Sequence, residues 1–326
     1  MIKNEIALGI DIGGTNTAFG LVNSEGKCLF KKSVSTKSDE PAENLFYRIF
    51  EVINSKMDSE ESLSGIGIGA PNANYYKGTI ENPPNLKWEF VNVAETVSNF
   101  SSAPVFVTND ANAAALGEMK FGAARNMKNF IEITLGTGLG SGIIVNGELV
   151  YGHDGFAGEM GHTIIERNGR ECGCGRKGCL ETYVSATGIV RTYFYLLSKT
   201  MNKSSLKAKP RSEITAKDIY EAALKDDPVA LESFDITAKY LGMACADAVG
   251  YFSPEAFILF GGLAGAGDLL TVPAKRYMEE NIMNIFKGKV EIILSELNSG
   301  DAAILGAAAL VFHNAGNKTT EAAVNI

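Results

Sequence analysis

Two stretches decide the fold of this chain: Ile6-Ala-Leu-Gly-Ile-Asp-Ile-Gly-Gly-Thr-Asn-Thr-Ala-Phe-Gly-Leu-Val-Asn-Ser24 and Asn129-Phe-Ile-Glu-Ile-Thr-Leu-Gly-Thr-Gly-Leu-Gly-Ser-Gly-Ile-Ile-Val-Asn-Gly147. A shift of 123 positions lays the first over the second without a gap, and apolar residues then fall on apolar residues. The matched pairs include Leu8 and Ile131, Ile10 and Ile133, Ile12 and Leu135, Gly13 and Gly136, Leu21 and Ile144, Val22 and Val145, and Asn23 and Asn146. This agreement indicates that one structural unit occurs twice in the chain.

Each copy predicts a strand, a glycine-rich turn, a second strand, a polar turn and a third strand. Outside the two copies, strands and helices alternate along the chain, which is typical of an α/β fold with mixed sheets. The predicted strands are Gly65–Gly69, Val105–Val107 and Ala256–Phe260, and the predicted helices are Pro41–Lys56, Asp110–Met119, Ala230–Phe252 and Asp301–His313.

The composition sets limits on the class of protein. The chain has 326 residues, which suits two domains, and its 45% hydrophobic and 21% charged residues are ordinary for a globular protein. A formal net charge of -8 argues against nucleic acid as a partner. The sequence shows no secretory signal and no apolar run of about 20 residues that could span a bilayer. We therefore expect a cytoplasmic protein with no membrane partner.

The glycine-rich turn of each copy is a candidate phosphate loop, because small residues leave backbone N–H groups uncovered and able to form an anion nest. Two such loops facing each other across a cleft would hold a polyphosphate from both sides. Asp11, at the end of the strand before the first loop, could hold Mg²⁺ through water. The loop residues are Gly13, Gly14, Thr15 and Asn16 in the first copy and Gly136, Thr137 and Gly138 in the second.

Two common nucleotide-binding motifs do not fit these loops. A dinucleotide-binding fold needs a glycine-rich turn that leads into a helix, whereas both turns here lead into a second strand. A Walker A loop needs glycine, lysine and serine or threonine at fixed spacing, which this sequence lacks.

A candidate catalytic carboxylate lies where a buried strand runs into a helix, at Asn109-Asp110. An aspartate at or near a helix N-cap is often only a cap, and that is the alternative interpretation. Its place at the end of a strand, where clefts form in α/β sheets, and about twenty-five residues before the second loop favours a catalytic role. We predict that Asp110 is the general base of a phosphoryl transfer and that Asn109 binds the acceptor substrate.

One histidine and three closely spaced cysteines form a candidate metal site. His162, Cys172, Cys174 and Cys179 supply four nitrogen and sulfur ligands, the number in a closed tetrahedral zinc site. Buried or free thiols, a disulfide and a nucleic-acid-binding zinc finger are the alternatives. A reducing compartment disfavours the disulfide, and the lack of a basic helix in this region disfavours the finger.

The two copies with their loops resemble the actin, hexokinase and Hsp70 ATPase superfamily. That resemblance implies a two-lobed, ribonuclease H-like α/β fold with duplicated domains and an interlobe cleft. We expect an N-terminal lobe over residues 1–118, joined by the C-terminal helix at 301–316. The C-terminal lobe is expected over residues 119–300, with the zinc-binding loop at 162–179.

Gly-Glu159-Met-Gly-His162, followed by Cys172-Gly-Cys-Gly-Arg-Lys-Gly-Cys-Leu-Glu181, resembles the ROK family of bacterial sugar kinases. The resemblance covers nearly the whole chain, because the phosphate loops, the Asn-Asp pair, the cysteine motif and a Gly-Gly turn occur in family order. It implies that Glu159, His162 and Glu181 bind sugar hydroxyls and that the zinc is structural. It also implies that Gly261-Gly262 lies against the adenosine of ATP, with a helix opening directly after it.

The same resemblance implies ATP-dependent and Mg²⁺-dependent phosphorylation of a hexose by a homodimer. Gly69-Ala-Pro-Asn72 resembles a glucokinase variant of the family's loop, which makes glucose the first choice and Asn72 a sugar ligand. N-acetylmannosamine, N-acetylglucosamine, fructose, mannose and allose remain alternatives, because members of the family phosphorylate them.

A non-enzymatic sugar sensor is the alternative from another class, because the family includes sugar-responsive repressors with an added N-terminal winged-helix domain. The first phosphate loop begins about ten residues into the sequence, which leaves no room for such a domain. The intact ATP loops also favour an enzyme.

Overall fold

The computed structural model describes residues 5–57, 62–199 and 204–324, with side chains described as far as residue 315. Within them the chain forms two compact units. The first unit comprises residues 1–126, 149–158 and 296–326, and the second comprises 127–148 and 159–295. None of the described helices is both long enough and apolar enough to cross a bilayer.

The strands of the described residues are β1 (Ile6–Ile12), β2 (Asn16–Asn23), β3 (Cys28–Ser35), β4 (Leu63–Gly69), β5 (Ala73–Asn74), β6 (Thr79–Glu81), β7 (Phe90–Asn92), β8 (Val105–Thr108), β9 (Phe130–Leu135), β10 (Leu139–Val145), β11 (Glu148–Leu149), β12 (Ala256–Phe260) and β13 (Glu291–Leu294). The helices are α1 (Ala42–Asn54), α2 (Val93–Ser98), α3 (Asp110–Phe121), α4 (Ala186–Lys199), α5 (Ala216–Ala223), α6 (Pro228–Phe252), α7 (Asp268–Asn281) and α8 (Ala302–Val324).

The two larger sheets have the same topology, which confirms the predicted duplication. The first has the order β3-β2-β1-β4-β8 and the second has the order β11-β10-β9-β12-β13. In each, the first two strands of the copy are antiparallel, and a strand from later in the chain, β4 or β12, pairs in parallel with the first. The short strands β5, β6 and β7 form a separate antiparallel sheet. The mixed α/β fold class is therefore as the sequence predicts.

The sheet of the first unit is covered on both faces. Helix α1 buries Leu45, Phe46 and Ile49 in a cluster with strand residues that include Ile10 and Ile68. Helix α8 covers the opposite face, where its apolar side chains form a second cluster with β1 and β2. Burial of apolar surface on both faces stabilises the unit by roughly 25 cal/mol for each Å² removed from water.

Glycines in β4 allow α8 to approach the sheet closely. A Cβ built on Gly67 would lie 1.8 Å from the carbonyl oxygen of Ala307, a distance that no side chain can occupy. The small residues of the Leu-Ser-Gly-Ile-Gly-Ile-Gly strand are therefore a packing requirement. In the second unit, α6 packs against α4 and α7.

Helix α3 begins at Asp110, as the sequence predicts, whereas the start of α7 differs from the prediction. The N-cap of α3 is Asn109, and Asp110 is the first helical residue. Helix α7 begins at Asp268 and not directly after the Gly-Gly turn, because Gly267 adopts a φ of 58° and a ψ of -131°. A short 3-10 turn at Ala264–Ala266 fills the interval.

Candidate active site

Two aspartates lie at the carboxyl ends of β1 and β8, the strands on either side of β4 in the first unit. Asp11 of β1 is in register with Gly69 of β4, and Gly69 is in register with Thr108 of β8. A Cβ on Gly69 would lie 3.8 Å from Asp11 Oδ1 and 3.7 Å from the Cα of Asp110. The glycine therefore leaves room for two carboxylates on either side of one strand end.

The surroundings of both carboxylates favour their protonated forms. Burial, and then the neighbouring charge of Asp110, raise the pKa of Asp11 to about 7. Asp110 is accessible to solvent at its surface, yet the protein around its carboxyl desolvates it enough to raise its pKa as well. The N–H of Ala111, which donates to Asp110 Oδ1 at 2.9 Å, works in the opposite direction. A carboxylate with a raised pKa is a better proton acceptor, and a closely spaced pair attracts a cation.

Asn109 performs the capping role at the start of α3. Its Oδ1 accepts the N–H of Ala111 at 2.9 Å, which leaves Asp110 outside the N-cap position. Two buried oxygens close by, Thr108 Oγ1 and Asn112 Oδ1, have no hydrogen-bond partner among the described residues. The sequence did not single out Thr108 and Asn112. Their position beside Asp110 in the structure is what makes them candidates for the site.

The first glycine loop is held from behind by a residue that sequence reasoning missed. Thr36, which follows β3 and is fully buried, donates its hydroxyl to the carbonyl of Gly13 at 2.7 Å. Its Oγ1 also lies 2.9 Å from the hydroxyl of Thr17. Thr36 is distant in sequence from the loop, so no local signal identified it. Gly14, Thr15 and Asn16 are exposed at the loop tip.

Crowding, rather than a left-handed backbone, accounts for the glycines of this loop. A Cβ on Gly13 would meet the carbonyl oxygen of Asn16 at 2.8 Å, and one on Gly14 would meet that of Asn85 at 2.7 Å. Neither glycine has a positive φ among the described backbone angles. The loop therefore needs glycine because neighbouring backbone comes close.

Asn72 occupies a turn of the first unit. It adopts a φ of 52°, in the left-handed region that asparagine tolerates better than most residues. Its Nδ2 donates to the carbonyl of Asn82 at 2.9 Å. The side chain therefore has a structural partner besides any ligand.

The second glycine loop lies beside the Gly-Gly turn within the second unit. Gly261 has a φ of 95°, and a Cβ built there would lie 2.7 Å from the carbonyl oxygen of Leu135 at the end of β9. Gly262 is exposed, with no other heavy atom within 4 Å of its ideal Cβ. The second loop, Gly136–Gly138, directly follows Leu135. Because β9 and β12 are parallel neighbours, the two glycine segments lie side by side at the carboxyl ends of these strands.

The second glycine loop is also fastened to the turn that carries Glu181. A Cβ on Gly138 would lie 2.6 Å from Glu181 Oε2. The N–H of Ala186 donates to the carbonyl of Gly136 at 2.9 Å, and the hydroxyl of Thr187 donates to that of Thr137 at 2.8 Å. The candidate phosphate loop and the candidate sugar ligand are thus one connected structure.

The predicted metal ligands converge on one point in the second unit. One ligand atom each from His162, Cys172, Cys174 and Cys179 lies within 4.8 Å of all the others. His162 Nδ1 is 3.7 Å from Cys172 Sγ, and the sulfurs of Cys174 and Cys179 are 3.6 Å apart. Bonds of about 2.0–2.3 Å to a tetrahedral zinc require ligand separations of this size. The donor set therefore fits zinc.

Glu159 and Glu181 lie beside the His162 ring of this cluster. His162 Nε2 lies 3.9 Å from Glu159 Oε2, on the side of the ring away from the cysteines. Glu181 Oε1 accepts from Cys172 Sγ at 3.0 Å and lies 3.8 Å from His162 Nδ1. With Nδ1 directed to the metal position, Nε2 remains directed toward the glutamate. The three predicted sugar ligands thus form one polar group.

Two sheets of matching strand order, each with a glycine loop between its first two strands, define the class of ATPases with the actin-like fold. Within that class, this chain belongs to the ROK family, whose model matches residues 7–314.

Its relatives include both enzymes and regulators. The chain is 37% identical to a glucokinase of Thermotoga maritima over 93% of this chain and 96% of that one. A solved ROK family glucokinase of Streptomyces griseus, in complex with glucose and AMPPNP, is 35% identical with a TM-score of 0.77, over 94% of this chain and 98% of that one. A xylose repressor of Caldicellulosiruptor bescii is 31% identical, over 93% of this chain and 77% of that protein.

Proposed function

We propose that this protein transfers the γ-phosphate of ATP to a hydroxyl of a hexose, and that this hexose is glucose. The observation that carries the proposal is the pair of aspartates at the ends of β1 and β8. Asp110 accepts the proton of the attacking hydroxyl, and Asp11 holds Mg²⁺ through water. The similarity to two glucokinases, one of them in complex with glucose and an ATP analogue, supports this choice.

In this proposal each residue group has one task. The glycine loops bind the phosphates, and Gly261-Gly262 contacts the adenosine. Asn72, Asn109, Glu159, His162 and Glu181 bind the sugar hydroxyls. Mg²⁺ supplies charge neutralisation on the phosphates when bound. Asn72 is the weakest member of the sugar set, because its amide already donates to Asn82.

A coupled assay of ADP release with a panel of sugars tests the activity and the substrate together. We expect turnover with glucose, and the panel includes N-acetylmannosamine, N-acetylglucosamine, fructose, mannose and allose. Turnover with one of these sugars and not with glucose would assign that sugar, in place of glucose, as the substrate. No ADP release with any sugar would contradict the proposed activity.

The role of Asp110 has its own test. Asp110→Asn removes the proton acceptor but keeps the size of the side chain, so we expect kcat to fall by about 10²–10⁴-fold. Glucose affinity, measured by isothermal titration, is expected to stay within a few-fold. Activity near the wild-type level would refute the assignment of the base.

Zinc at the His162 and cysteine cluster is the proposed structural metal. It would clamp the segment that carries Glu159 and Glu181, and it would not activate water, because four protein ligands fill a tetrahedral site. Metal analysis of the purified protein is expected to give about one zinc per chain.

We also propose a homodimer, on the basis of the family resemblance. Light scattering measures the molar mass in solution and so tests this oligomeric state.

The xylose repressors among the relatives favour a second candidate, a sugar-binding protein without catalysis. The same titration and assay separate the two. A sensor binds sugar and releases no ADP, whereas a kinase does both.

A further inference from the structure

Arg170 belongs to the cysteine-rich segment, but its side chain bonds to the turn after Glu181. Its Nη1 donates to the carbonyl of Thr182 at 2.7 Å and to that of Gly188 at 3.0 Å. Its Nη2 donates to Thr192 Oγ1 at 2.9 Å. The guanidinium therefore bridges the turn at Thr182 and two positions, Gly188 and Thr192, in the first half of α4.

An aromatic ring completes the environment of this cation. The guanidinium carbon lies 4.3 Å from the ring centroid of Tyr183, within the range of a cation–π contact. The hydroxyl of Tyr183 accepts the backbone N–H of Arg170 at 3.1 Å. Burial lowers the pKa of Arg170, yet the planar fork of donors offsets the cost through two carbonyls and one hydroxyl. A lysine has a single donor nitrogen and lacks the planar fork that directs two nitrogens to these three acceptors.

The contacts of Arg170 fix the backbone on one side of Glu181. Ser185 Oγ donates to the carbonyl of Glu181 at 2.7 Å, and Arg170 holds the carbonyl of Thr182, the next residue. The hydroxyl of Thr182 donates to the carbonyl of Cys179 at 2.7 Å. The orientation of the Glu181 carboxylate therefore depends on a short backbone segment that Arg170 fastens through bonds of its own.

We propose that Arg170 is a positioning residue for Glu181, which it holds in the sugar-binding orientation by bridging Thr182, Gly188 and Thr192. The inference rests on the proposed function, because it takes Glu181 as a sugar ligand. It assigns Arg170 a role separate from metal ligation. Without the bridge, the carboxylate is less well oriented and the sugar binds less tightly.

The test measures the dissociation constant for glucose by isothermal titration and the KM values for glucose and ATP. Arg170→Lys keeps the charge and loses the fork, so we expect about a tenfold weaker glucose affinity, typical for loss of a supporting contact. The KM for ATP and the zinc content are expected to stay within about twofold of wild type. Thr192→Val, which removes only one partner, is expected to act in the same direction by about threefold.

Arg191→Lys is the matched control. Arg191 precedes Thr192 on α4 and donates to the carbonyl of Glu171 at 3.2 Å. Its side chain is exposed and does not contact the turn after Glu181. We expect its glucose affinity to match that of the wild type.

A double substitution separates positioning from general stability. If Arg170 acts through Glu181, Arg170→Lys in a Glu181→Ala background should weaken glucose binding no further. Additive losses, loss of zinc, or equal rises in both KM values would overturn the inference. Wild-type affinity in both Arg170→Lys and Thr192→Val would overturn it too. If Glu181→Ala alone leaves glucose affinity unchanged, the assignment of Glu181 in the proposed function fails instead.

Discussion

At the scale of single residues, the burial of Asp11 makes its ionised form unfavourable in the folded chain. Its pKa is about 7 in the folded chain, against 3.8 for an ordinary aspartate. The contribution of protonated Asp11 to stability is full below pH 3.8 and is lost as pH rises through about 7. Ionisation therefore destabilises the metal-free protein at neutral pH.

Asp11→Asn removes this penalty, so we expect the variant to gain stability relative to wild type as pH rises. Between pH 5 and pH 8 the free energy of unfolding should shift in its favour by about 2 kcal/mol, allowing for partial solvent screening. Urea unfolding at both pH values, without nucleotide or Mg²⁺, measures this change. Kinase activity should be lost, since the proposed Mg²⁺ ligand is removed.

Asp39→Asn is the control for that experiment, because Asp39 is exposed. The difference in the free energy of unfolding between Asp39→Asn and wild type should be nearly the same at pH 5 and pH 8. An Asp11→Asn variant whose advantage is the same at pH 5 and pH 8 would contradict the raised pKa.

At the scale of secondary-structure elements, the contact between β4 and α8 is the tightest packing requirement of the first unit. Gly67→Ala places a methyl group where the carbonyl oxygen of Ala307 lies, so strand and helix must separate. We expect a loss of about 3 kcal/mol or more in the free energy of unfolding. Chemical denaturation measures it.

Gly250→Ala is the matched control for Gly67→Ala. Gly250 is an exposed position in α6 with no other heavy atom within 4 Å of its ideal Cβ. The higher helix propensity of alanine should raise stability by about 0.5–1 kcal/mol. If both variants changed stability equally, the close approach of α8 would not matter.

Element prediction succeeded where the pattern was local. Ala256–Phe260 was predicted as a strand with the bounds that the structure has, because a short apolar run ends in two glycines. The start of α7 that the resemblance implied, directly after the Gly-Gly turn, was wrong, because the backbone angles of Gly267 delay the helix. Helix α3 begins at Asp110 as predicted, with Asn109 as its N-cap.

At the scale of the whole molecule, the last helix completes the core of the first unit. Ile304, Ala308 and Val311 of α8 are buried in a cluster with Ala7 and Val22 of the first two strands. A chain ending at Ser295 should therefore expose this core, and we expect it to be insoluble or to lack a cooperative unfolding transition. Expression and thermal unfolding measure the outcome.

A chain ending at residue 315 is the control for that truncation. It retains the whole buried cluster of α8, so it should unfold at nearly the temperature of the full chain. A stable, cooperatively folded chain ending at Ser295 would show that α8 is dispensable for the first unit.

The sequence by itself determined the duplication, the α/β class and the grouping of His162 with three cysteines, because these depend on patterns that are short in sequence or repeated. Only the tertiary structure decided how Thr36 supports the first loop, how Arg170 holds the turn after Glu181, and why Asp11 has a raised pKa. The physical reason is that these depend on contacts and desolvation between residues far apart in the chain. No periodicity or spacing in the sequence records such contacts.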